Sequence, residues 1–348
     1  MAWVKGELLT DINAASVDPT AQLSREAQAN LFDRIDWFRR LLRHSSSNME
    51  PLIARAASEG TLAWLMLQRS GNGGFVALAN WYTMAFRPMF AGNPDDARKR
   101  MMLTAIAKRM RAMRDSPQQI VLSPVPREDG TSALVSRAFK RAGWIVFANQ
   151  TSTSWTANVA GLSFEEYWAA RPGQLRSTYK RKNSKADFDI TIYDLFDEAA
   201  WEEFQSVYHD SWKPEEDYPE FLRETALFEG DAGCLRLGIC RLDGVAIAAQ
   251  YWTVERGTAY IHKLAYSESA REFSPGTVLS AAMFRHVIDK DKVDKIDFGT
   301  GDEAYKADWM DASAPLDTIE AFNPARIAGL AGAARAFIST LVARARQR

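Results

Sequence analysis

The chain has 348 residues, of which 47% are apolar and 25% are charged, and its formal net charge is −1. A chain of this length is expected to form two domains, each long enough to bury a proper core. The near-zero charge excludes a whole-chain field that attracts nucleic acid or membrane, so any polyanion site must be local and no nucleic-acid partner is expected.

The two cysteines and the apolar runs indicate a cellular compartment. Cys234 and Cys240 lie on one predicted strand, too far apart along it to form a disulfide. The N-terminus shows no apolar leader, and no stretch approaches the roughly 18 apolar residues of a membrane span. We therefore expect buried thiols in a reducing, cytoplasmic protein. No cluster of potential ligands has metal-site spacing, so no metal is expected.

The first half of the chain is predicted to alternate strands and helices. The start is expected to be extended, and a C-terminal turn rich in arginine ends the first helix. The predicted elements are a helix over 24–44, strands over 61–68 and 75–84, a helix over 93–114, a strand over 118–122, a helix over 131–142, and strands over 144–149 and 154–159.

The second half begins with a capping box, Ser163 to Glu166, which predicts a short helix. Turn signals at Asp243-Gly244 and Arg256-Gly257 then separate three strands. The predicted elements are a helix over 174–185, a strand over 188–192, a helix over 199–212, a loop over 210–218, a helix over 219–228, three strands within 233–266, a helix over 275–289, a strand over 295–299, an irregular stretch after 309, and a last helix from 323.

The start of the helix at Ser274 is typical of an anion site. Ser274 is the expected N-cap, Pro275 fits the first helical position, and Gly276 lets a ligand approach the backbone. The first turn carries no acid, so its free N–H groups and the helix dipole suit a phosphate. The expected phosphate-binding residues are Ser274, Gly276, Thr277, Val278 and Leu279. The alternative is that Ser-Pro-Gly only caps a helix.

Two further stretches accompany this helix. Six cations and no acid occur between Arg171 and Lys185, and Arg176 and Lys180 are the expected anion-binding members; the alternative is a solvated basic face. After the helix comes Asp297-Phe298-Gly299-Thr300-Gly301-Asp302, followed by Tyr305-Lys306. An acid inside the apolar strand at Asp297 needs a partner or a role.

These three stretches, in this order, resemble the GNAT acyltransferase superfamily, and from Glu166 to Trp309 the CelD/BcsL-type acetyltransferases, which are relatives of the FemAB-type aminoacyltransferases. The resemblance implies an α/β fold (an α+β mixed sheet), acetyl-CoA or another acyl-CoA as co-substrate, and Tyr305 as the group that protonates the departing thiolate. It also implies that backbone N–H groups near Leu264 and Ala265 polarise the thioester carbonyl.

The first half repeats the element order of the second, which predicts tandem GNAT-like units. The expected domains are a degenerate unit over 1–160, a catalytic unit with the acyl-CoA site over 161–322, and an amphipathic helix over 323–348. In the first unit, the acids Asp95 and Asp96 at the helix start repel a phosphate. The alternative is one unrelated α/β domain.

Candidate chemical roles follow from residue type. His262 has an unperturbed pKa that suits a general base, with Glu303 as a weaker candidate. Asp297 is expected to orient a base or the acceptor amine, while Asp302 and Lys306 are expected to contact substrate, Lys306 by neutralising a phosphate or an oxyanion. For most of these residues a packing role is an equal alternative.

The predicted function is acyl transfer from acyl-CoA to a primary amine, such as an amino sugar of an envelope or exopolysaccharide precursor. The alternatives are FemAB-like transfer from an aminoacyl-tRNA, long-chain N-acyl transfer, and a non-catalytic module that binds a precursor. The last helix has an apolar stripe and several arginines. It is expected either to pack on the domain with a solvated arginine face or to lie on the inner membrane surface.

Overall fold

The computed structural model describes residues 4–46, 49–301 and 303–346, with side chains up to residue 340. The chain divides into two compact units. Unit 1 comprises Met1–Thr153 and Ala314–Arg348, and unit 2 comprises Ser154–Ser313. The first boundary falls near the predicted one, whereas the C-terminal segment, predicted to be a separate element, belongs to unit 1.

The strands of the described residues are between three and 14 residues long. Their bounds are Lys5–Leu9 (β1), Pro51–Ser58 (β2), Thr61–Arg69 (β3), Phe75–Ala77 (β4), Met89–Ala91 (β5), Gln119–Pro126 (β6), Ile145–Asn158 (β7), Phe188–Tyr193 (β8), Leu235–Leu242 (β9), Val245–Glu255 (β10), Thr258–Tyr266 (β11), Lys295–Thr300 (β12) and Ala312–Phe322 (β13).

The α-helices alternate with these strands. Their bounds are Ile35–His44 (α1), Asp96–Arg111 (α2), Thr131–Arg141 (α3), Phe164–Ala169 (α4), Gly173–Asn183 (α5), Glu198–His209 (α6), Pro219–Asp231 (α7), Pro275–Arg285 (α8), Lys306–Trp309 (α9) and Ile327–Arg346 (α10). Short 3₁₀ helices at Leu31–Asp33 and Glu268–Phe273 precede α1 and α8, and a π turn at His286–Lys290 follows α8.

The two units build their sheets in the same order. In unit 1, β2, β3 and β4 are antiparallel neighbours, and β6 joins β4 in parallel after α2, with Phe75 opposite Ile120. In unit 2, β9, β10 and β11 are antiparallel neighbours, and β12 joins β11 in parallel after α8. A helix precedes each parallel strand because parallel pairing requires a long crossover. The predicted mixed α/β class with a repeated unit is confirmed.

Several predictions for unit 1 were wrong because tertiary contacts determine the backbone conformation there. The first helix begins at Ile35 and not near Ser24, since Ile35 donates its N–H to the Leu23 carbonyl at 2.9 Å and Arg34 stays extended. β1 and β2 were not predicted. β4 is only three residues long, and the two strands predicted over 144–159 form the single strand β7.

β13 replaces the irregular stretch predicted after Trp309. The alternation of apolar and polar residues that is typical of a strand is hard to recognise in β13, because Pro315 and a buried acid, Asp317, interrupt it. Arg127 donates to the Asp317 carboxylate from Nε at 3.0 Å, and Ser132 donates to it at 2.6 Å. The acid is therefore satisfied by side chains that lie far away in the sequence.

The core of unit 2 centres on stacked aromatic rings. Phe284 on α8 contacts Tyr167, Trp252 and Trp309, with ring centroids 4.8 to 5.3 Å apart. The Tyr167 hydroxyl donates to the Trp309 carbonyl at 2.6 Å. These tryptophans serve packing, and the cluster fixes α8 against the sheet.

The α10 helix packs on unit 1 by its small residues, which corrects the expected packing of its apolar stripe. A Cβ at Gly329 would lie 2.2 Å from the Asn323 carbonyl oxygen, and one at Gly332 would lie 2.6 Å from the Phe322 ring. Ala333 is buried, whereas Ile327 and Leu330 of the predicted stripe are exposed. Among the described residues, no helix combines the length and hydrophobicity required to cross a bilayer.

Candidate functional site

The β11 and β12 strands part in the middle of unit 2. Their parallel pairing runs from Thr258 to Tyr260, and in the described residues no pairing extends beyond the pair Tyr260–Asp297. A bulge lies directly after it, because Lys263 faces Tyr251 and Ile261 faces Trp252 on β10. His262 is the extra residue, and bulges bend the strand that carries them. The part of β11 that holds Leu264 and Ala265 therefore has an open edge toward β12.

The start of α8 lacks a side-chain cap, which corrects the predicted role of Ser274. Ser274 occupies the N-cap position with φ +51°, and its hydroxyl makes no capping hydrogen bond. The Thr277 and Val278 N–H groups instead donate to the Ser274 carbonyl at 3.0 and 3.3 Å. The first turn also carries no acid, so the positive end of the helix dipole has no negative side chain of its own.

The corresponding helix of unit 1 is capped by the protein. Asp95 is the N-cap of α2, and its carboxylate accepts from the Arg98 N–H at 2.7 Å. A negative side chain thus occupies the helix start in unit 1. This contrast favours α8 over α2 as an anion site.

The absence of a side chain at Gly276 also serves packing, while its predicted contact with a ligand stays a prediction. A Cβ at Gly276 would lie 3.1 Å from the Tyr266 ring, so the missing side chain makes room for that ring. Trp212 packs against Tyr266 with ring centroids 4.4 Å apart. The loop between α6 and α7 is thereby held beside the first turn of α8.

Half of the basic run is occupied by contacts within unit 2. Arg171 is buried and pairs with Asp311, while Lys182 and Lys185 hold Glu272, the former through its carbonyl and the latter through its carboxylate at 2.7 Å. The end of α5 therefore lies against the segment that precedes α8.

The two basic residues predicted to bind an anion lie elsewhere on α5. Arg176 donates to the Arg171 carbonyl at 3.1 Å, and Lys180 is exposed. Their assignment to an anion stays a prediction.

The Asp-x-Gly-x-Gly stretch builds a loop. Asp297 is buried and accepts from the Gly299 N–H at 2.9 Å, which explains an acid in this strand without a catalytic role. Gly301 has φ +130°, and any Cβ there would overlap Glu303 and Lys306. Asp302, predicted to contact substrate, lies outside the described residues.

Lys306 is not free to neutralise a ligand, contrary to its predicted role. Its side chain is buried, and the ammonium donates to the Thr300 carbonyl at 2.6 Å and pairs with Glu303 at 2.9 Å. Burial raises the pKa of Glu303, but the hydrogen bond and charge of Lys306 outweigh it, so the pKa lies below its ordinary value. A carboxylate held in this way is a poor base.

Tyr305 stands at the tip of this loop, immediately before α9. It is 43% exposed, and its ring packs edge-on to Phe298 at a centroid distance of 5.7 Å. Burial of the hydroxyl, with a smaller contribution from the Glu303 charge, raises the pKa of Tyr305 to about 12. The phenol keeps its proton at neutral pH and is able to donate it.

His262 lies in an environment that disfavours the predicted role as base. Its Nε2 is 2.9 Å from the Thr253 hydroxyl, and its ring stacks on Tyr251. Burial, reinforced by the neighbouring Lys263 charge, lowers the pKa of His262 to about 3. An imidazole with this pKa is a weak proton acceptor at neutral pH. Both contacts of the His262 side chain are with β10.

A cavity of about 250 Å³ lies between α6, α7 and the loop that joins them. Its inner wall is aromatic and aliphatic, with Trp201, Phe204 and Leu222, and its polar groups include Lys213 and Glu216. Such a pocket, apolar with a few polar groups, is typical of a small-molecule site.

Lys213 connects this cavity to β11 and to the Tyr305 loop. Burial, reinforced by the charges of Lys263 and Lys306, lowers the pKa of Lys213 to about 8, although the charges of Glu303 and Glu216 act in the opposite direction. Glu216 pairs with Lys263 at 2.5 Å, and Glu303 pairs with Lys306. No carboxylate of the described residues forms an ion pair with Lys213 within 4 Å.

No local pattern points to Lys213, because it lies in a segment predicted only as a loop. Its charged neighbours come from β11 and from the Tyr305 loop, so the cluster exists only in the folded unit. A lone lysine beside a proline and two glutamates is typical of a solvated turn.

The two cysteines are free, as predicted. Cys240 is buried, while Cys234 is half-buried and its thiol lies 3.2 Å from a Glu255 carboxylate oxygen. Glu229 lies close by, and one ligand atom from each of the three residues falls within 4.8 Å of the others. A thiol that donates to a carboxylate accounts for this proximity without an ion.

Residues 168–307 match the family model described as an acetyltransferase (GNAT) domain. This match lies within unit 2 and includes the parted strands, the α8 start and Tyr305. No protein of curated function matches the sequence. The match supports the predicted superfamily, whereas the CelD/BcsL subdivision stays a prediction.

Solved structures show the same fold at low sequence identity. The C-terminal domain of a putative lysylphosphatidylglycerol synthetase from Agrobacterium fabrum is 14% identical, with a TM-score of 0.55 over 92% of this chain and 95% of that one. FemX is 10% identical, with a TM-score of 0.61 over 90% and 96%. A tandem GNAT protein of clavulanic acid biosynthesis is 11% identical, with a TM-score of 0.52 over 92% and 99%. The tandem GNAT-like fold is thus confirmed.

Proposed function

We propose that unit 2 transfers an acyl group, most simply acetyl, from acyl-CoA to a primary amine. The observation that carries this proposal is the start of α8, which has neither an acid nor a side-chain cap and is joined to the open edge of β11 by a short segment that contains the 3₁₀ helix Glu268–Phe273. Together they offer a phosphate site and an extended hydrogen-bonding edge to one long ligand.

The co-substrate would be held mainly by backbone. The start of α8, from Gly276 to Leu279, would hold the pyrophosphate mainly through the positive end of the helix dipole, since the Thr277 and Val278 N–H groups already donate to the Ser274 carbonyl. Backbone N–H groups near Leu264 and Ala265 would polarise the thioester carbonyl from the open edge. Alignment of this kind supplies much of the rate without an unusual side chain.

Lys213 is the base in this proposal, in place of His262. Its neutral amine would take a proton from the acceptor ammonium, and the freed amine would attack the thioester carbonyl. Collapse of the tetrahedral adduct breaks the carbon–sulfur bond, and Tyr305 would protonate the departing thiolate. The second proton of the attacking nitrogen would pass to the resulting tyrosinate, which gives the neutral amide and restores the phenol. A base with a pKa of about 8 is half deprotonated near its working pH, which is the favourable range for proton transfer.

The acceptor would lie beside the cavity between α6 and α7, whose aromatic wall suits the apolar face of an amino sugar. Arg176 and Lys180 would contact a phosphate of an envelope or exopolysaccharide precursor, since exposed cations attract such groups. Free cysteines suit a reducing compartment, and we place the reaction in the cytoplasm.

The proposal is tested by ligand-induced stabilisation. Acetyl-CoA should raise the melting temperature, and the rise should continue with the logarithm of its concentration above Kd, because a ligand that binds only the native state stabilises it by mass action. Long-chain acyl-CoA, UDP-amino sugars and an aminoacyl-tRNA are compared on the same protein. A shift with the aminoacyl-tRNA and none with any acyl-CoA would replace this function by FemAB-like transfer.

Replacement of Tyr305 by phenylalanine removes the hydroxyl and keeps the ring on Phe298. We expect kcat to fall by about 10²-fold, the lower end for a general acid, with little change in acetyl-CoA affinity. Steady-state kinetics and a melting curve on the same sample separate this outcome from lost packing. A variant with full kcat at every pH would remove Tyr305 from the mechanism.

A further inference from the structure

The outward face of α10 is apolar. Ile327 is 89% exposed, Leu330 is 49%, Phe337 is 55% and Ile338 is 60%. Leu330 lies three residues after Ile327, and the other two follow Leu330 by seven and eight residues. This helical spacing places all four side chains on one side of α10. Most soluble monomers do not expose an apolar stripe of this length without a use for it.

The residues that hold α10 against unit 1 prevent its apolar face from packing on that unit. Gly329 and Gly332 approach the Asn323 carbonyl and the Phe322 ring too closely to accept even a Cβ. The helix is thus fixed with its small residues inward. A rotation that buried Phe337 and Ile338 would have to break this contact.

The charge beside the stripe has one sign. Arg335 is exposed, and from Asn323 to the last residue the sequence contains Arg326, Arg335, Arg344, Arg346 and Arg348 but no aspartate or glutamate. A second copy of the helix would bring arginines against arginines with no acid between them. An anionic lipid surface, in contrast, offers acyl chains to the stripe and phosphates to the arginines.

We propose that α10 is a membrane-surface helix that lies flat in the headgroup layer of an anionic phospholipid bilayer. Ile327, Leu330, Phe337 and Ile338 enter the acyl boundary, and Arg335 lies at the level of the phosphates. This inference does not depend on acyl transfer, since it rests on the exposed face and charge of unit 1.

The test is co-sedimentation of the full chain with vesicles of phosphatidylcholine alone or mixed with phosphatidylglycerol. We expect binding to the mixed vesicles only. The double variant Phe337→Ser/Ile338→Ser should lose at least about ten-fold in partition coefficient, because two large side chains no longer leave water. Arg335→Gln should lose about five-fold, the contribution of one basic residue near an anionic surface.

Leu195→Ser is the matched control, because Leu195 is 63% exposed in unit 2 and lies outside α10. It should bind vesicles as the unchanged protein does, and all variants should keep their melting temperature. Equal binding by the double variant, or binding to neither vesicle, would overturn the proposal. A dimer in light scattering that the double variant converts to a monomer, without vesicle binding, would assign the face to a second copy instead.

Discussion

Replacement of Lys213 by arginine should lower kcat by about 10²–10⁴-fold, the range that a general base contributes. Arginine keeps the positive charge and most of the length, but its guanidinium does not lose a proton in proteins. In the unchanged protein, kcat/KM should rise with pH through about 8, since the neutral amine forms above the lowered pKa of Lys213. The variant should lack this inflection.

The same substitution distinguishes a base from an anion anchor. If Lys213 bound a negative group of the acceptor, arginine would preserve KM and kcat, and activity would fall above pH 8 as the lysine lost its charge. Lys290→Arg, which lies in the π turn after α8, is the control for an added guanidinium in unit 2. Full kcat in the Lys213→Arg variant would exclude Lys213 as the base and leave a bound water in that role.

Replacement of Thr277 by aspartate should weaken acetyl-CoA binding by on the order of 10²-fold. Thr277 is the third residue of α8, and a carboxylate there meets the ligand's phosphates at a few ångströms, where like charges repel by several kcal/mol near a protein surface. An acid in the first turn also favours the helix dipole by about 0.3–1 kcal/mol. The variant should therefore melt at the same or a higher temperature.

Opposite effects on binding and stability make this result specific to the site. Thr277→Asn has the same shape as the aspartate variant without its charge, so it should bind acetyl-CoA nearly as the unchanged protein does. Isothermal calorimetry and melting curves on both variants provide the comparison. Undiminished affinity in Thr277→Asp would remove the α8 start from the acyl-CoA site.

Much of unit 2 was predictable because its signals are local. The turn pairs at Asp243-Gly244 and Arg256-Gly257 mark the hairpins, and both turns have left-handed backbone. The Ser163 capping box is present in the structure as predicted. Local turn chemistry of this kind does not depend on the rest of the fold.

The candidate site was less predictable because its chemistry depends on tertiary contacts. The sequence pattern predicts the acid-free start of α8 but not the left-handed backbone of Ser274. It also predicts that Lys306 contacts a ligand, although the fold buries this side chain. The pKa of His262 and that of Lys213 move in the same direction, mainly by burial, yet only the lysine ends near neutrality. Burial and neighbouring charge set such values, and neither is visible in a linear sequence.

The discontinuous composition of unit 1 has a consequence for synthesis on the ribosome. β6 pairs with β13, so the partner of Ile120 and Leu122 emerges only after the whole of unit 2 has been translated. At about 5–20 residues per second, that interval lasts about 10–40 s. Unit 2 is contiguous and is able to fold first, while the unpaired edge of β6 waits as a template for mispairing. Unit 1 begins first in synthesis but is completed last, so the nascent chain exposes the edge of β6 until its last strand appears.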